Sequence, residues 1–465
     1  MLKRAANVIR KISTRLGLQR DWYLIAIGAG IGTVTAFGAI LFVKLLHLLT
    51  DASISIIEES PWWVLPLVPM ARALVTGVIV HLFAAEARGH GVPEVMDALY
   101  SKGGRIRSRV AVVKGITSAL TIGSGGSAGA EGPIVQIGSA IGSWMAQTLR
   151  VSRDHAGTLV GCGAAAGIAS VFNAPIAGVF FVLEILLRDF SLRTFTPIVI
   201  ASVFSATVTQ AVLGANEAIF NVSGLSGYVF SLPELPSYAL LGLICGFVAV
   251  LFIKMLYASE DLAARVRIHP IIKPVIGAAL LGVLGIAFIA VGNRVGVSQT
   301  MPAFFGNGYD AIVHLLEPAN YGPEGGSPIA NAAAAVPGHP ESQLDLPTEL
   351  WLLVVLLGCK LVATCLTLGS GGSGGVFAPS LFLGASSGAA VGVALESLGL
   401  LPPESSPAAY ALVGMAALVA GTTHAPLTAF LIVFEITRDP YVLLPIMLAA
   451  VISTVVAQLV MRDSI

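Results

Sequence analysis

Apolar residues occur in long runs along the chain, and short polar breaks rich in glycine and proline separate these runs. About a dozen apolar stretches can be drawn, and several, such as 425–437, are shorter than the ~20 residues that a perpendicular membrane-spanning helix needs. The pattern predicts an all-α polytopic membrane protein with many tilted and half-spanning helices. The composition agrees, because 55% of the residues are hydrophobic, 11% are charged and the mean hydropathy is +0.86.

One glycine-rich sequence occurs twice among these apolar runs. LTIGSGGSAGAEGP covers 120–133, and LTLGSGGSGGVFAP covers 366–379. A break in a helix at membrane depth is tolerated only where protein or a water-filled cavity covers the backbone. Two such breaks in corresponding positions indicate a binding site at the interface of two structural repeats.

Two further landmarks extend the repeat. They are FNAPIAGVFFVLEI at 172–185 with THAPLTAFLIVFEI at 423–436, and GHG at 89–91 with GNG at 306–308. The second half is longer because it holds a Pro/Gly/Ala-rich insertion at 317–349. We therefore predict a first transmembrane half at 21–232 and a second at 233–465, joined by a turn-rich connection at 224–237.

Charge is distributed unevenly between corresponding loops. The loop after the first GxG carries Lys102, Arg105, Arg107 and Arg109, whereas 301–359 holds no Lys or Arg and six acidic residues. Because cytoplasmic loops collect Lys and Arg, the loops lie on opposite sides and the repeats are inverted. A translocated insertion that is acidic by chance is the alternative.

Segment 1–20, with six basic and no acidic residues, places the N-terminus in the cytoplasm. The net charge of zero disfavours nucleic acid as a partner.

Each break runs into an apolar segment with a helical pattern, at 134–145 and 380–394, with a proline at its start. Glycine lets backbone NH groups converge, and each helix N-terminus adds about half a positive charge. Two such ends form a site for a small anion that can bind and leave again. No Gly-Lys-Ser/Thr follows the glycines, so a phosphate loop is excluded. Helix packing is the alternative for the breaks, and it is what we expect of the glycines at 161–167.

Glu131 is an acid inside the first break, at the position that Phe377 occupies in the second. A carboxylate at membrane depth costs at least about 2.5 kcal/mol, so it faces a transport pathway by default. It could occupy the anion site itself, and its protonation would release it and admit an anion. A structural cap that accepts neighbouring NH bonds is the alternative.

Cysteine usage indicates no metal or redox chemistry. Four cysteines lie in apolar stretches without CxxC or Cys/His spacing, so we expect neither disulfides nor a metal site. No nucleophile and base pair accompanies the breaks. We therefore expect no enzyme activity and no cofactor, and we disfavour a membrane enzyme or receptor for a phosphate-bearing ligand.

Three motifs occur in order along the chain. They are GHGVP (Gly89, His90, Gly91, Val92, Pro93), GAEGP (Gly129, Ala130, Glu131, Gly132, Pro133) and GVFAP (Gly375, Val376, Phe377, Ala378, Pro379). They resemble the GSGIP, GKEGP or GREGP, and GxFxP segments of the CLC chloride channels and chloride/proton antiporters. The resemblance covers nearly the whole chain, and NAP at 173–175 lies between the last two motifs.

The resemblance implies the CLC-type antiparallel inverted-repeat architecture. It also implies a homodimer in the lipid bilayer of a prokaryotic inner membrane, in which each subunit carries its own chloride pathway. Glu131 falls on the family's gating glutamate, and Lys114 on a lysine that favours anions electrostatically, with Lys360 as its repeat counterpart. The implied anion-binding residues are His90, Gly91, Val92, Ala130, Gly132, Val376, Phe377 and Ala378.

Four positions depart from the family. His90 replaces a serine that contacts the anion, and it either donates through an imidazole NH or turns away. Ala130 replaces a Lys or Arg. Ile185 replaces the glutamate that relays protons in the antiporters, and Glu184 points about 100 degrees away from that position on a helix. The sequence ends at Ile465, before the family's anion-contacting tyrosine, so either that tyrosine is absent or a final helix follows.

The functional expectation from the sequence is selective transport of chloride and similar small anions. Because Ile185 removes the inner proton acceptor, we expect channel-like conduction gated by Glu131 and therefore by pH or voltage. Chloride/proton exchange by a non-standard inner proton route is the alternative.

Overall fold

The computed structural model describes residues 22–214, 232–294, 301–321, 346–402, 405–438, 442–461 and 464. These residues form sixteen α-helices and no β-strand. Nine helical segments among them are long and apolar enough to cross a membrane, and three more are apolar but shorter. The prediction of an all-α membrane protein with half-length helices is confirmed. Segment 1–20 and most of the insertion lie outside the described residues.

The first half contributes eight helices to this part of the chain. They are α1 (Trp22–Glu58), α2 (Leu67–Phe83), α3 (Val92–Tyr100), α4 (Arg109–Gly123), α5 (Glu131–Thr148), α6 (Arg153–Phe172), α7 (Pro175–Phe181) and α8 (Leu192–Leu213). A π-helical turn, Val182–Leu186, continues α7.

The second half contributes eight helices in the same order. They are α9 (Leu235–Arg265), α10 (Lys273–Arg294), α11 (Tyr309–Leu316), α12 (Leu346–Gly369), α13 (Phe377–Ser397), α14 (Pro407–Thr423), α15 (Pro426–Thr437) and α16 (Leu443–Val460). Each has a counterpart in the first half, so α1 corresponds to α9 and α8 to α16.

The two glycine breaks pair with each other through their backbones. Gly129 donates its NH to the carbonyl of Gly375, and Gly375 donates to the carbonyl of Gly129, both at 2.7 Å. The segments run antiparallel at this point, and the two glycines occupy equivalent positions of the repeat. A reciprocal contact between equivalent residues is what a two-fold relation produces. The breaks therefore lie on the internal two-fold axis, and the inverted-repeat architecture is confirmed.

A second reciprocal contact joins α7 and α15. Glu184 accepts hydrogen bonds from two NH groups at the start of α15, and Glu435 accepts from two at the start of α7. The four donor distances are Leu427 3.2 Å, Thr428 2.7 Å, Ile176 3.1 Å and Ala177 2.6 Å. The first NH groups of a helix have no acceptor within it, so each carboxylate caps the partner helix and neutralises its positive end.

Glycine lets the helices behind the breaks pack backbone to backbone. A Cβ on Gly163 of α6 would lie 1.9 Å from the carbonyl oxygen of Gly138 of α5. The equivalent pair joins α13 and α14, where a Cβ on Gly384 would lie 2.3 Å from the carbonyl oxygen of Gly414. Small residues permit such close approach of membrane helices. The expectation that 161–167 serves helix packing is confirmed.

Some predicted boundaries differ from the structure. Helices α5 and α13 begin at Glu131 and Phe377, three residues before the predicted starts, because the end of each motif already forms the first helical turn. Pro236 lies in the first turn of α9 rather than in a loop. Most of the predicted connection lies outside the described residues, and the division at 232/233 stays a prediction. All four cysteines are free thiols, of which Cys359 is half-buried and the other three are buried.

Candidate anion site

Each GxG segment pairs with the glycine break of the opposite half. Gly89 donates to the carbonyl of Gly372 and accepts from the NH of Gly374, both at 3.3 Å. The second half repeats this arrangement, since the carbonyl of Gly306 accepts from the NH of Ala128 at 3.3 Å. Four irregular segments are thus tied into one structure on the two-fold axis.

Two glycines allow α3 and α5 to begin side by side. Gly91 has φ +89°, and a Cβ there would lie 2.8 Å from the carbonyl oxygen of Gly132. A Cβ on Gly132 would lie 2.0 Å from the carbonyl oxygen of His90. A side chain at either position would separate the GHGVP segment from the start of α5.

Three helix N-termini begin at the junction. These are α3 at Val92, α5 at Glu131 and α13 at Phe377. Their prolines, Pro93, Pro133 and Pro379, lie in the first turn, where the missing NH would have had no acceptor within the helix. The remaining first-turn NH groups and the helix dipoles produce a positive potential without a cationic side chain.

A cavity of about 30 Å³ opens at these N-termini, which is enough for a water molecule or a small anion. Its walls include His90, Val92, Glu131, Gly132, Val376 and Phe377 from the predicted set, together with Val135, Ile168, Phe172, Phe181, Ile185, Thr423 and Ile432. Gly91, Ala130 and Ala378 flank the lining residues without lining the cavity. Gly89, Gly129 and Gly375 form the backbone pairs that hold the segments together.

The carboxylate of Glu131 lies within this site. The side chain is 4% exposed, and its Oε1 accepts a hydrogen bond from the phenol of Tyr309 at the start of α11. Its Oε2 has no partner of ordinary hydrogen-bond geometry within the described residues, although the NH groups of Glu131 and Ala378 lie beside the carboxylate. The acid thus occupies a place where helix N-termini would receive an anion.

Two buried lysines support the junction from opposite halves. Lys114 donates to the carbonyls of Ala87 and Gly89 at 3.2 and 2.7 Å. Lys360 donates to the carbonyls of Phe304 and Gly306, both at 3.1 Å. The acceptors are equivalent in the repeat, so each lysine fixes the GxG segment of its own half.

His90 reaches from the cavity wall toward α9. Its side chain is 9% exposed, and its Nε2 lies 3.5 Å from Oε1 of Glu260. Its Nδ1 is buried and has no hydrogen-bond partner among the described residues. The Glu260 side chain is 35% exposed at the surface of the chain.

Ile185 lines the cavity as an apolar side chain. Its neighbour Glu184 makes the bonds to α15 given above, and it also accepts from the hydroxyl of Thr428 at 2.6 Å. The expectation that Glu184 cannot replace an acid at 185 therefore agrees with its contacts. Within the described residues, Glu131 is the carboxylate that lines the cavity.

Tyr309 and Glu260 were not predicted from the sequence. Tyr309 follows the second GxG, at the position where Val92 follows the first. A polar residue that replaces an apolar one at an equivalent position of the repeat indicates a candidate site residue, so Tyr309 could have been predicted. Glu260 lies in a long apolar helix, and nothing in the local sequence pairs it with His90. Its contact depends on how α9 packs.

The fold and the site together define a polytopic membrane protein in which helix N-termini from both halves converge at an internal two-fold site. The chain belongs to the voltage-gated chloride channel (CLC) family, whose model matches residues 72–458. The family consists of proteins that transport anions across membranes.

Two relatives resemble the chain over most of their length. One, from Ralstonia nicotianae, has a name that describes it as a ClcB-like chloride channel protein, and it is 32% identical over 93% of both chains. The other is the H(+)/Cl(-) exchange transporter ClcA of Vibrio parahaemolyticus, 30% identical over 94% of this chain and 86% of its own.

A solved structure shows the same fold. The structure of a slow cyanobacterial Cl-/H+ antiporter covers 94% of both chains with a TM-score of 0.75 and 23% sequence identity. At this identity the likeness concerns the fold alone.

Proposed function

We propose that this protein exchanges chloride, or a similar small anion, for protons, and that Glu131 is the group on which the two ions compete. The observation that carries the proposal is the place of the Glu131 carboxylate, at the cavity where α5 and α13 begin. A carboxylate and a chloride ion would use the same NH groups and the same positive potential.

Competition between the two is strong on electrostatic grounds. Two negative charges about 4 Å apart repel by about 4 kcal/mol at an effective dielectric constant of 20. Such an energy changes an equilibrium by a factor of about 10³. Anion binding next to an ionised Glu131 is therefore strongly disfavoured, and either movement or protonation of the acid must precede it.

Protonation of Glu131 connects anion entry to proton uptake. A neutral carboxyl group is a weaker acceptor for the phenol of Tyr309 and for nearby NH groups than a carboxylate is. It can leave the site, an anion can enter, and departure of the anion allows the ionised acid to return. Suppose that Glu131 takes up its proton from one side of the membrane and, on returning to the site, releases it to the opposite side. The anion and the proton then move in opposite directions.

The proposal of exchange follows the Vibrio relative, which is named an exchange transporter, rather than the Ralstonia relative, whose name describes a chloride channel protein. This differs from our expectation of a channel, which depended on Ile185. Channel-like conduction is the second candidate, and the apolar side chain of Ile185 in the cavity favours it.

Chloride and proton flux measured together in liposomes decide between the two. A chloride gradient should drive protons uphill in wild-type vesicles. Chloride flux without any proton movement would refute exchange and support the channel.

The same vesicles test Glu131. Glu131→Gln should keep anion flux, make it nearly insensitive to pH and abolish proton flux, because the amide cannot bind a proton or repel the anion. Anion flux of Glu131→Gln that keeps the wild-type pH dependence would show that Glu131 is not the gate.

We also propose that two subunits associate in the inner membrane, each with its own site and with the N-terminus in the cytoplasm. The family resemblance supports the dimer, and the basic 102–109 loop supports the orientation. Single-molecule photobleaching of labelled protein in vesicles should show two steps per spot.

A further inference from the structure

Exchange needs a path for protons between Glu131 and the aqueous phase beyond the cavity. Among the described residues that line the cavity, the walls away from Glu131 are mostly aliphatic or aromatic. His90 is the titratable exception, and Thr423 adds a hydroxyl. A proton that leaves Glu131 through this cavity therefore meets one side chain that can hold it, the imidazole of His90.

His90 is held in a constrained position. Gly89 and Gly91 flank it with φ +74° and +89°, Lys114 fixes the carbonyl of Gly89, and the carbonyl of His90 lies against Gly132. The buried Nδ1 has no partner among the described residues, while Nε2 faces Glu260. The ring thus has one nitrogen toward an acid and the other inside the protein.

Glu260 links this ring to solvent on the basic side of the protein. Arg107 donates to Glu86, four residues before His90, so the basic loop and the GHGVP segment share a side. By charge distribution that side is cytoplasmic. Glu260 stands there with about a third of its side chain exposed, which suits exchange of protons with water.

We propose that His90 and Glu260 form the inner proton relay of this protein and replace the acid that is missing at Ile185. This inference rests on the proposed exchange function. A proton taken from water by Glu260 passes to the unprotonated Nε2 of His90, while Nδ1 carries the proton of the neutral ring. Rotation of the resulting imidazolium turns Nε2–H toward the cavity, where the proton leaves toward Glu131, and the reverse rotation returns the unprotonated Nε2 to Glu260. No co-reactant is consumed, and the cavity has room for a water molecule to bridge the last step.

Other charged groups around His90 do not offer the same path. Arg88, on the same segment, lies beside Gly371. Glu94 of α3 lies near Gly89 and interacts electrostatically with Lys114, which itself bonds backbone carbonyls. Glu131 of α5 is the other end of the route, so Glu260 of α9 is the acid placed to receive a proton from solvent.

The test is proton and chloride flux in vesicles of Glu260→Gln and of Asp261→Asn. Asp261 is the neighbouring acid, exposed on the same helix, and serves as the matched control. We expect Glu260→Gln to lower proton flux roughly tenfold or more, since a relay group is lost, and to keep chloride flux. Asp261→Asn should keep both, and Glu260→Asp should restore part of the proton flux.

His90→Gln gives an independent measurement on the other member of the pair. It should lower proton flux as Glu260→Gln does, and the double variant should be no worse, because two groups in one relay are not additive. Should Glu260→Gln fail to fold, the effect of His90→Gln on proton flux decides alone.

The outcomes separate this inference from the exchange proposal. Wild-type protein that moves chloride without protons overturns both. Coupled wild-type protein with Glu260→Gln or His90→Gln equally coupled overturns the relay and leaves exchange standing. Equal losses in Glu260→Gln and Asp261→Asn, or a parallel loss of chloride flux in Glu260→Gln, also overturn it.

Discussion

The phenol of Tyr309 holds the acid that occupies the anion site, and its removal should make the site easier to open. Tyr309 donates to Oε1 of Glu131 from the start of α11, and Glu131 is buried whereas Tyr309 is half-buried. Tyr309→Phe keeps the ring and removes only this donor. A hydrogen bond to a charged group contributes about 1.5–3 kcal/mol, which is a factor of roughly 10 to 150 in the equilibrium between the seated and the displaced carboxylate.

Two quantities follow from that factor. The apparent chloride affinity should rise, because the competing carboxylate is held less firmly, and anion flux near neutral pH should increase where displacement of Glu131 limits it. Isothermal titration with chloride measures the first, and chloride efflux from vesicles measures the second. Glu131→Gln/Tyr309→Phe should resemble Glu131→Gln alone, because the amide variant already lacks the ionised acceptor.

Tyr321→Phe is a matched control for the loss of a phenol. Tyr321 donates to the carbonyl of Leu315 at 2.8 Å, beyond the far end of α11 from Glu131. It should leave chloride affinity unchanged. Chloride affinity in Tyr309→Phe that equals that of the wild type, in a stably folded protein, would refute the view that Tyr309 holds Glu131 in the site.

The remaining predictions concern the GHGVP and GAEGP segments. If His90 contacts the anion, His90→Ala should change the preference for chloride over nitrate in competition flux assays, and an unaltered ratio would leave its role to the proton path or the fold. Gly132→Ala places a methyl group 2.0 Å from the carbonyl oxygen of His90, so thermal unfolding should report a loss of about 1–3 kcal/mol together with reduced flux. Gly30→Ala in α1, where a Cβ meets nothing within 4 Å, should be tolerated, and equal effects of the two substitutions would contradict the close approach.

The sequence was sufficient for the central architecture because the repeat preserved its backbone signals. Glycine breaks followed by a proline predicted two helix starts, and the structure has them at Glu131 and Phe377. Repeated motifs, together with basic residues in one loop and acidic residues in its counterpart, predicted two inverted halves, and the reciprocal bonds of Gly129 and Gly375 satisfy this relation. Helix starts can be predicted from the sequence because the residues that a break and a first helical turn require lie next to each other in the chain.

Contacts between side chains distant in sequence could not be predicted in the same way. Tyr309 is 178 residues from Glu131, and Glu260 is separated from His90 by most of the first half and the start of the second. The direction of the Glu184 side chain could not be predicted from α-helical periodicity either. Glu184 lies in a π-helical turn, in which the rotation per residue differs from that of an α-helix. Packing of whole helices decides such contacts, and periodicity does not record it.

Duplication gives this site a symmetric backbone, and transport requires that its side chains be asymmetric. The paired glycines and the two lysines occupy equivalent positions in both halves. Other equivalent positions hold different residues: His90 and Asn307, Val92 and Tyr309, and Glu131 and Phe377. A second carboxylate at Phe377 would face the first across one cavity, and at 4 Å it would add about 4 kcal/mol of repulsion at an effective dielectric constant of 20. With no carboxylate in either copy, nothing in the cavity wall would exclude an anion until a proton arrived. The site has one acid, Glu131, which is held by the phenol of Tyr309 and faces the same cavity as the imidazole of His90. With one carboxylate, an anion and a proton can compete for the site without permanent repulsion between two fixed negative charges. The structural difference between the two repeats, rather than their similarity, therefore gives the site a direction.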